Sequence, residues 1–167
     1  MRNILWIIVV VTAALVQTTW PDFLKIQNVT PDLVLMVVVY FAISAGEERA
    51  MLTGALGGIY QDVASKAVLG HNILCLVVVG YAAGRISTRL VTDHPAVKAG
   101  LVLLAGIAQG FFHTVIEDIH SPETLLIKTV VSVVVPASFY TALITPFVFV
   151  VLDRIFGKHQ KPQGSAA

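Results

Sequence analysis

Six apolar segments, at 4–20, 32–45, 50–63, 72–85, 97–116 and 125–152, fill most of this 167-residue chain and leave only short polar joints between them. Segments this apolar are driven out of water. In lipid, each must pair its own backbone N–H and C=O groups, which an α-helix does within a single segment. The reading is an all-α polytopic membrane bundle of about six transmembrane helices, a single integral membrane domain over 1–157 followed by a disordered cytoplasmic tail at 158–167. Composition agrees, with 56% hydrophobic and 13% charged residues, against about 45–50% and about 25% in a soluble domain. A water-soluble globule is excluded. The net charge of +1 provides no basic footprint for nucleic acid. The lone Cys75 excludes a disulfide framework and a Cys-based zinc site.

The first segment ends in Gln17-Thr18-Thr19-Trp20-Pro21 without a small-x-small cleavage pattern, so it reads as a retained helix rather than a signal sequence. Pro31 in a first turn, with Asp32 beside it, opens the second helix. That segment is short for a bilayer and runs through Gly46-Glu47-Glu48-Arg49 into the third. A re-entrant hairpin would hold those three charges in hydrocarbon at about 2.5 kcal/mol or more each. Two short or tilted crossings with local bilayer thinning fit better. The sixth segment exceeds the ~20 residues a span needs and carries Pro136 and Pro146, which predicts a kink, a break or a surface-lying end.

Six crossings place both termini on one side. Arg2, Arg49, Arg85, Arg89, Lys98, Arg154, Lys158 and Lys161 fall there, and Lys25, Lys66 and Lys128 on the other. Eight basic residues against three make the terminal side cytoplasmic.

Gly54, Gly58 and Asp62 recur every four residues on the third helix beside Gly57, a bare face suited to packing within the chain or to docking a partner helix. Leu69-Gly70-His71-Asn72 reads as a turn supplying Asn72 as a helix N-cap. Gly80, Tyr81, Gly84 and Arg85 close the fourth helix, with Arg85 as an interfacial anchor. On the fifth, Gln109, His113 and Glu117 share one face and form either a local hydrogen-bonded cluster or a pocket, although Glu117-Asp118-Ile119-His120 reads as outer loop. Nucleophile elbow, phosphate loop and H-E-x-x-H patterns are all missing, and Ser132 and Ser138 read as packing hydroxyls. Neither catalysis nor a cofactor or metal is expected.

Pro31-Asp32-Leu33, then Gly54-Ala55-Leu56-Gly57-Gly58-Ile59-Tyr60-Gln61-Asp62, Leu69-Gly70-His71-Asn72 and Gly80-Tyr81-Ala82-Ala83-Gly84-Arg85 resemble, in order and spacing, the MreD family of rod shape-determining proteins. The resemblance implies a non-enzymatic protein of the bacterial inner membrane, part of the elongation machinery that directs side-wall peptidoglycan synthesis. It implies MreC as the direct partner, through its membrane helix and juxtamembrane region. MreB, RodZ, RodA and RodA's transpeptidase partner are implied as indirect ones. It also implies a six-helix fold similar to the substrate-binding S subunits of energy-coupling-factor transporters. The alternative function is therefore the substrate-binding subunit of a vitamin-type transporter, with Gln109 and His113 in its pocket. For the family role no small-molecule ligand is expected.

Overall fold

Glycines in the left-handed region make two of the joints: Gly46, at φ +92°, and Gly70, at φ +102°, turn the chain where a side chain would be strained. A computed structural model describes residues 2–19, 30–65, 70–89, 94–120 and 130–157, with backbone alone at 2, 65 and 117–120. Among these residues the chain is entirely helical, with no strand. The helices are α1 (Arg2–Thr18), α2 (Leu33–Ser44), α3 (Glu47–Ser65), α4 (His71–Ser87), α5 (Pro95–His120) and α6 (Val135–Phe156). A π-helical turn at Val130–Val134 leads into α6.

Contacts between helices establish their directions. Gln17 on α1 accepts from the Val34 N–H on α2, and Trp6 meets Phe41 edge to face, so these two run antiparallel. The α3–α4 pair is antiparallel too, with Gly58 against Ile73 at one end and Gly84 against Glu47 at the other. In the α5–α6 pair, Gly106 lies on Ser138 and Lys98 pairs with Asp153 at 3.9 Å. The six helices alternate up and down. Trp6 and Phe156 line one cavity at the end where α1 begins and α6 stops. Thr18, Asp32, Tyr60, His71 and His113 gather at the opposite end.

The central element is α2, in which every residue from Leu33 to Ala42 is buried. A helix apolar all round has no solvent face to offer, so its neighbours enclose it. Its 12 residues rise only about 18 Å. Outside, the usual polarity is inverted: Ile4, Leu104, Phe139, Leu143 and Phe147 stand exposed, the last at 75%, while Thr53, Ser138, Thr141 and Thr145 are buried. That is the surface of a chain solvated by lipid.

Two helices, Pro95–Ile116 and Val130–Phe156, are long and apolar enough to cross a membrane by themselves. Asn3–Thr18, Leu33–Ser44 and His71–Ser87 are apolar but shorter. The third helix reaches neither class, because it starts at Glu47 and takes Glu47, Glu48 and Arg49 into its own first turns instead of leaving them in a loop. The fifth runs on to His120, so Glu117-Asp118-Ile119-His120, expected as loop, has a helical backbone. Nothing in those four residues breaks a helix, since neither Pro nor Gly is among them.

The long last segment, expected to kink, break or end on the surface, stays helical from Val130 to Phe156 and changes helix type at Val134. There the wide π turn gives way to α6, with Pro136, which has no N–H to return, in the first turn. Pro146 sits inside α6, one residue after Thr145, whose hydroxyl donates to the Thr141 carbonyl at 2.9 Å. Trp20, Pro21, Lys25, Lys66, Leu69, Lys128 and the tail at 158–167 lie outside the described residues.

Candidate functional site

At the end opposite the start of α1, a hydrogen-bonded polar network is centred on Asp32. Helix α2 begins just after it, and its carboxylate Oδ1 accepts from the Leu35 N–H at 2.9 Å, an N-cap. Pro31, expected in the first turn, stands one residue ahead of that cap. The extended backbone at Asp32 is the usual one for an N-cap, and its short carboxylate reaches back over the first turn as proline cannot.

The same carboxylate draws in other helices. The Gln109 side-chain amide on α5 donates to Oδ2 at 2.9 Å, and the Gln61 amide on α3 approaches Oδ1 at 3.4 Å. The Asp32 N–H donates to the Thr141 hydroxyl on α6 at 3.1 Å, and Gln17 of α1 caps the neighbouring Val34 N–H. Five helices therefore meet around one acidic residue. Gln17, Gln61 and Thr141 were not singled out from sequence. Their signal was an amide or hydroxyl within a membrane-spanning segment, which costs free energy unless it finds a hydrogen-bond partner.

A cavity of about 400 Å³ opens beside this network. Gln109 and His113 both line it, so their shared helix face does bound a pocket, together with Asp32 and Thr141. The His113 ring packs on the His71 ring of α4 with centroids 4.3 Å apart. The Glu117 side chain, the third member of that predicted face, lies outside the described residues.

Asp62 is bonded within its own chain, and Asn72 takes a different part from the N-cap expected of it. Asp62 is 1% exposed, and its carboxylate accepts from the Gly70 N–H at 2.8 Å and the Asn72 N–H at 2.9 Å. It caps α4 from the neighbouring helix. Asn72 is not the N-cap: Gly70 holds that position without a side-chain bond, and Asn72 lies inside the helix as a donor to Asp62. The first backbone N–H groups of α4 need an acceptor, and an ionic oxygen from α3 supplies a stronger one than a local amide.

The glycine face is filled by this chain itself. A Cβ on Gly54 would lie 2.6 Å from the Leu76 carbonyl oxygen, and one on Gly58 2.5 Å from the Ile73 Cα. From α4, Gly80 faces the Ala50 carbonyl and Gly84 the Glu47 Cα, while Gly57 turns to Val34 of α2. Backbone meets backbone along the entire α3–α4 contact, which leaves no room for a partner's helix there. Tyr81 is exposed on the other side of α4. Arg85 is 64% exposed and reaches Glu47 at 3.8 Å.

At the terminal end, Arg49 donates to Asn3 and lies over the Trp6 ring, whose N–H donates to Thr53 at 2.9 Å. Arg49, Arg85, Arg89, Lys98 and Arg154 all belong to this end, and these are the Lys and Arg residues whose side chains are described.

A family model described as rod shape-determining protein MreD matches residues 1–156. The match extends well past Pro31–Arg85, where the resemblance rests on individual residues, to the end of α6. No curated protein and no solved structure gives a match.

Proposed function

The chain belongs to the MreD family of rod shape-determining membrane proteins, and from that premise we propose that it is a non-catalytic scaffold that binds MreC in the bacterial inner membrane. Through MreC it supports lateral peptidoglycan synthesis, with MreB, RodZ, RodA and RodA's transpeptidase partner as indirect associates. All six helices cross, and both termini face the cytoplasm.

The observation that carries this reading is the distribution of surface. The exterior is apolar, and the side chains at the Asp32 end bond mainly to other groups of this chain. A chain of this kind acts by presenting lipid-facing helices to other membrane helices. The glycine faces serve the fold, so the dock lies on an outer face.

Affinity purification of the tagged protein from native membranes in mild detergent tests this, with mass spectrometry of everything retained. MreC should be recovered in stoichiometric amount. Recovery of an ATPase pair in its place, or of this chain alone, would overturn the scaffold reading.

A further inference from the structure

We propose that the cavity beside Asp32 is a binding site for a primary ammonium group, the chemistry of an ethanolamine headgroup or a small free amine. The inference is independent of the MreC reading, since it concerns an internal site and not an outer face.

Three observations converge. The carboxylate of Asp32 lines the cavity and is met by neutral donors, the Leu35 N–H and the Gln109 and Gln61 amides. No Lys or Arg among the described residues pairs with it, because those whose side chains are described all belong to the opposite end. His113 lines the same cavity. A carboxylate held at membrane depth mainly by amide and backbone donors is favoured further by a cation that also donates hydrogen bonds. The second observation is Gln109. With its amide nitrogen committed to Asp32, its Oε1 is buried and accepts from no described residue. The amide oxygen is closed to solvent in this packing, so a head bonded to the carboxylate reaches it on rotation of the Gln109 side chain; an ammonium carries three N–H donors for the two acceptors.

The third is shape. About 400 Å³ falls within the range of small-ligand sites, and Leu35, Val133, Val134 and Ala137 supply apolar lining beside the acceptors. Such a site takes a charged head at one end and a hydrocarbon portion along its side. An anion would face the Asp32 carboxylate and is excluded.

The test uses the full chain in lipid nanodiscs and, separately, in detergent. In nanodiscs containing phosphatidylethanolamine and phosphatidylglycerol, mass spectrometry of lipid retained on extraction should show phosphatidylethanolamine enriched over the bulk. Asp32→Asn keeps a good N-cap and removes the charge, and should lower that enrichment by about tenfold. In detergent, ethanolamine is the probe, read by thermal shift. A stabilisation that Asp32→Asn abolishes would mean that the site accepts a free amine. Enrichment in nanodiscs without a response to ethanolamine would identify the lipid as the source. Ala137→Leu fills the cavity without touching a charge, and decides the matter should Asp32→Asn fail to fold. The proposal is overturned if wild type shows neither enrichment nor ethanolamine stabilisation. It is equally overturned if either variant retains both as wild type does.

Discussion

Asp62 shows what a single side chain does for this fold. Its two oxygens satisfy backbone donors that begin α4, in a place where water has almost no access. Asp62→Ala should therefore cost about 2 kcal/mol, because the buried Gly70 and Asn72 N–H groups lose their acceptor. Asp62→Asn keeps one oxygen and should recover about half of that loss. Thermal unfolding in detergent, followed by tryptophan fluorescence, measures both; an Ala variant as stable as wild type would refute the capping role. The residue types at this joint were legible in the sequence, and their assignment was not. A turn ending in Asn72 reads as self-capping under local rules, and a cap supplied from ten residues upstream has no local signature. Asp32 shows the same limit from the other side. Its place at the start of α2 followed from the sequence, whereas its bonds to Gln109 and Gln61 depend on how α3 and α5 pack.

The closest packing between elements is that of α3 and α4, and here the spacing of glycines carried the information. Gly54 and Gly58 on one helix and Gly80 and Gly84 on the other predicted close approach, but which surface each face would meet is a property of the assembled bundle. Because Gly58 faces the Ile73 backbone, even one added methyl forces the helices apart. Gly58→Ala should destabilise by about 1–3 kcal/mol, and Gly58→Leu should prevent folding. Gly100 on α5 offers the contrast, since a Cβ there meets nothing within 4 Å. Gly100→Ala should be neutral or stabilising by up to about 1 kcal/mol, from helix propensity alone. Side-by-side melting of the two alanine variants distinguishes a packed glycine from an idle one; equal effects would mean that the α3–α4 contact is looser than its geometry. Length and Pro136 marked the start of α6 as irregular, but its form as a π turn continuous with the helix was not legible, because a proline only removes a donor and leaves the neighbouring register to tertiary packing.

For the molecule in its bilayer, the decisive element is α2. Its 12 residues span about 18 Å, well short of a hydrocarbon core of about 30 Å. Enclosed by its neighbours, it need not match the bilayer itself, and the long α5 and α6 set the thickness that the lipid meets. Helices that alternate in direction then bring Glu48 and the cationic residues to one end and Thr30 and the Asp32 network to the other. The proposed topology puts the cationic end in the cytoplasm. Cysteine labelling examines this directly, in a Cys75→Ser background that removes the buried native thiol. With a membrane-impermeant thiol reagent added to intact spheroplasts, Thr30→Cys should label at once and Glu48→Cys only after permeabilisation. Labelling of both from outside would make α2 and α3 a re-entrant pair and reduce the crossings to four. The reverse pattern would keep the bundle and invert it, leaving the cationic end outside and the Asp32 cavity facing the cytoplasm.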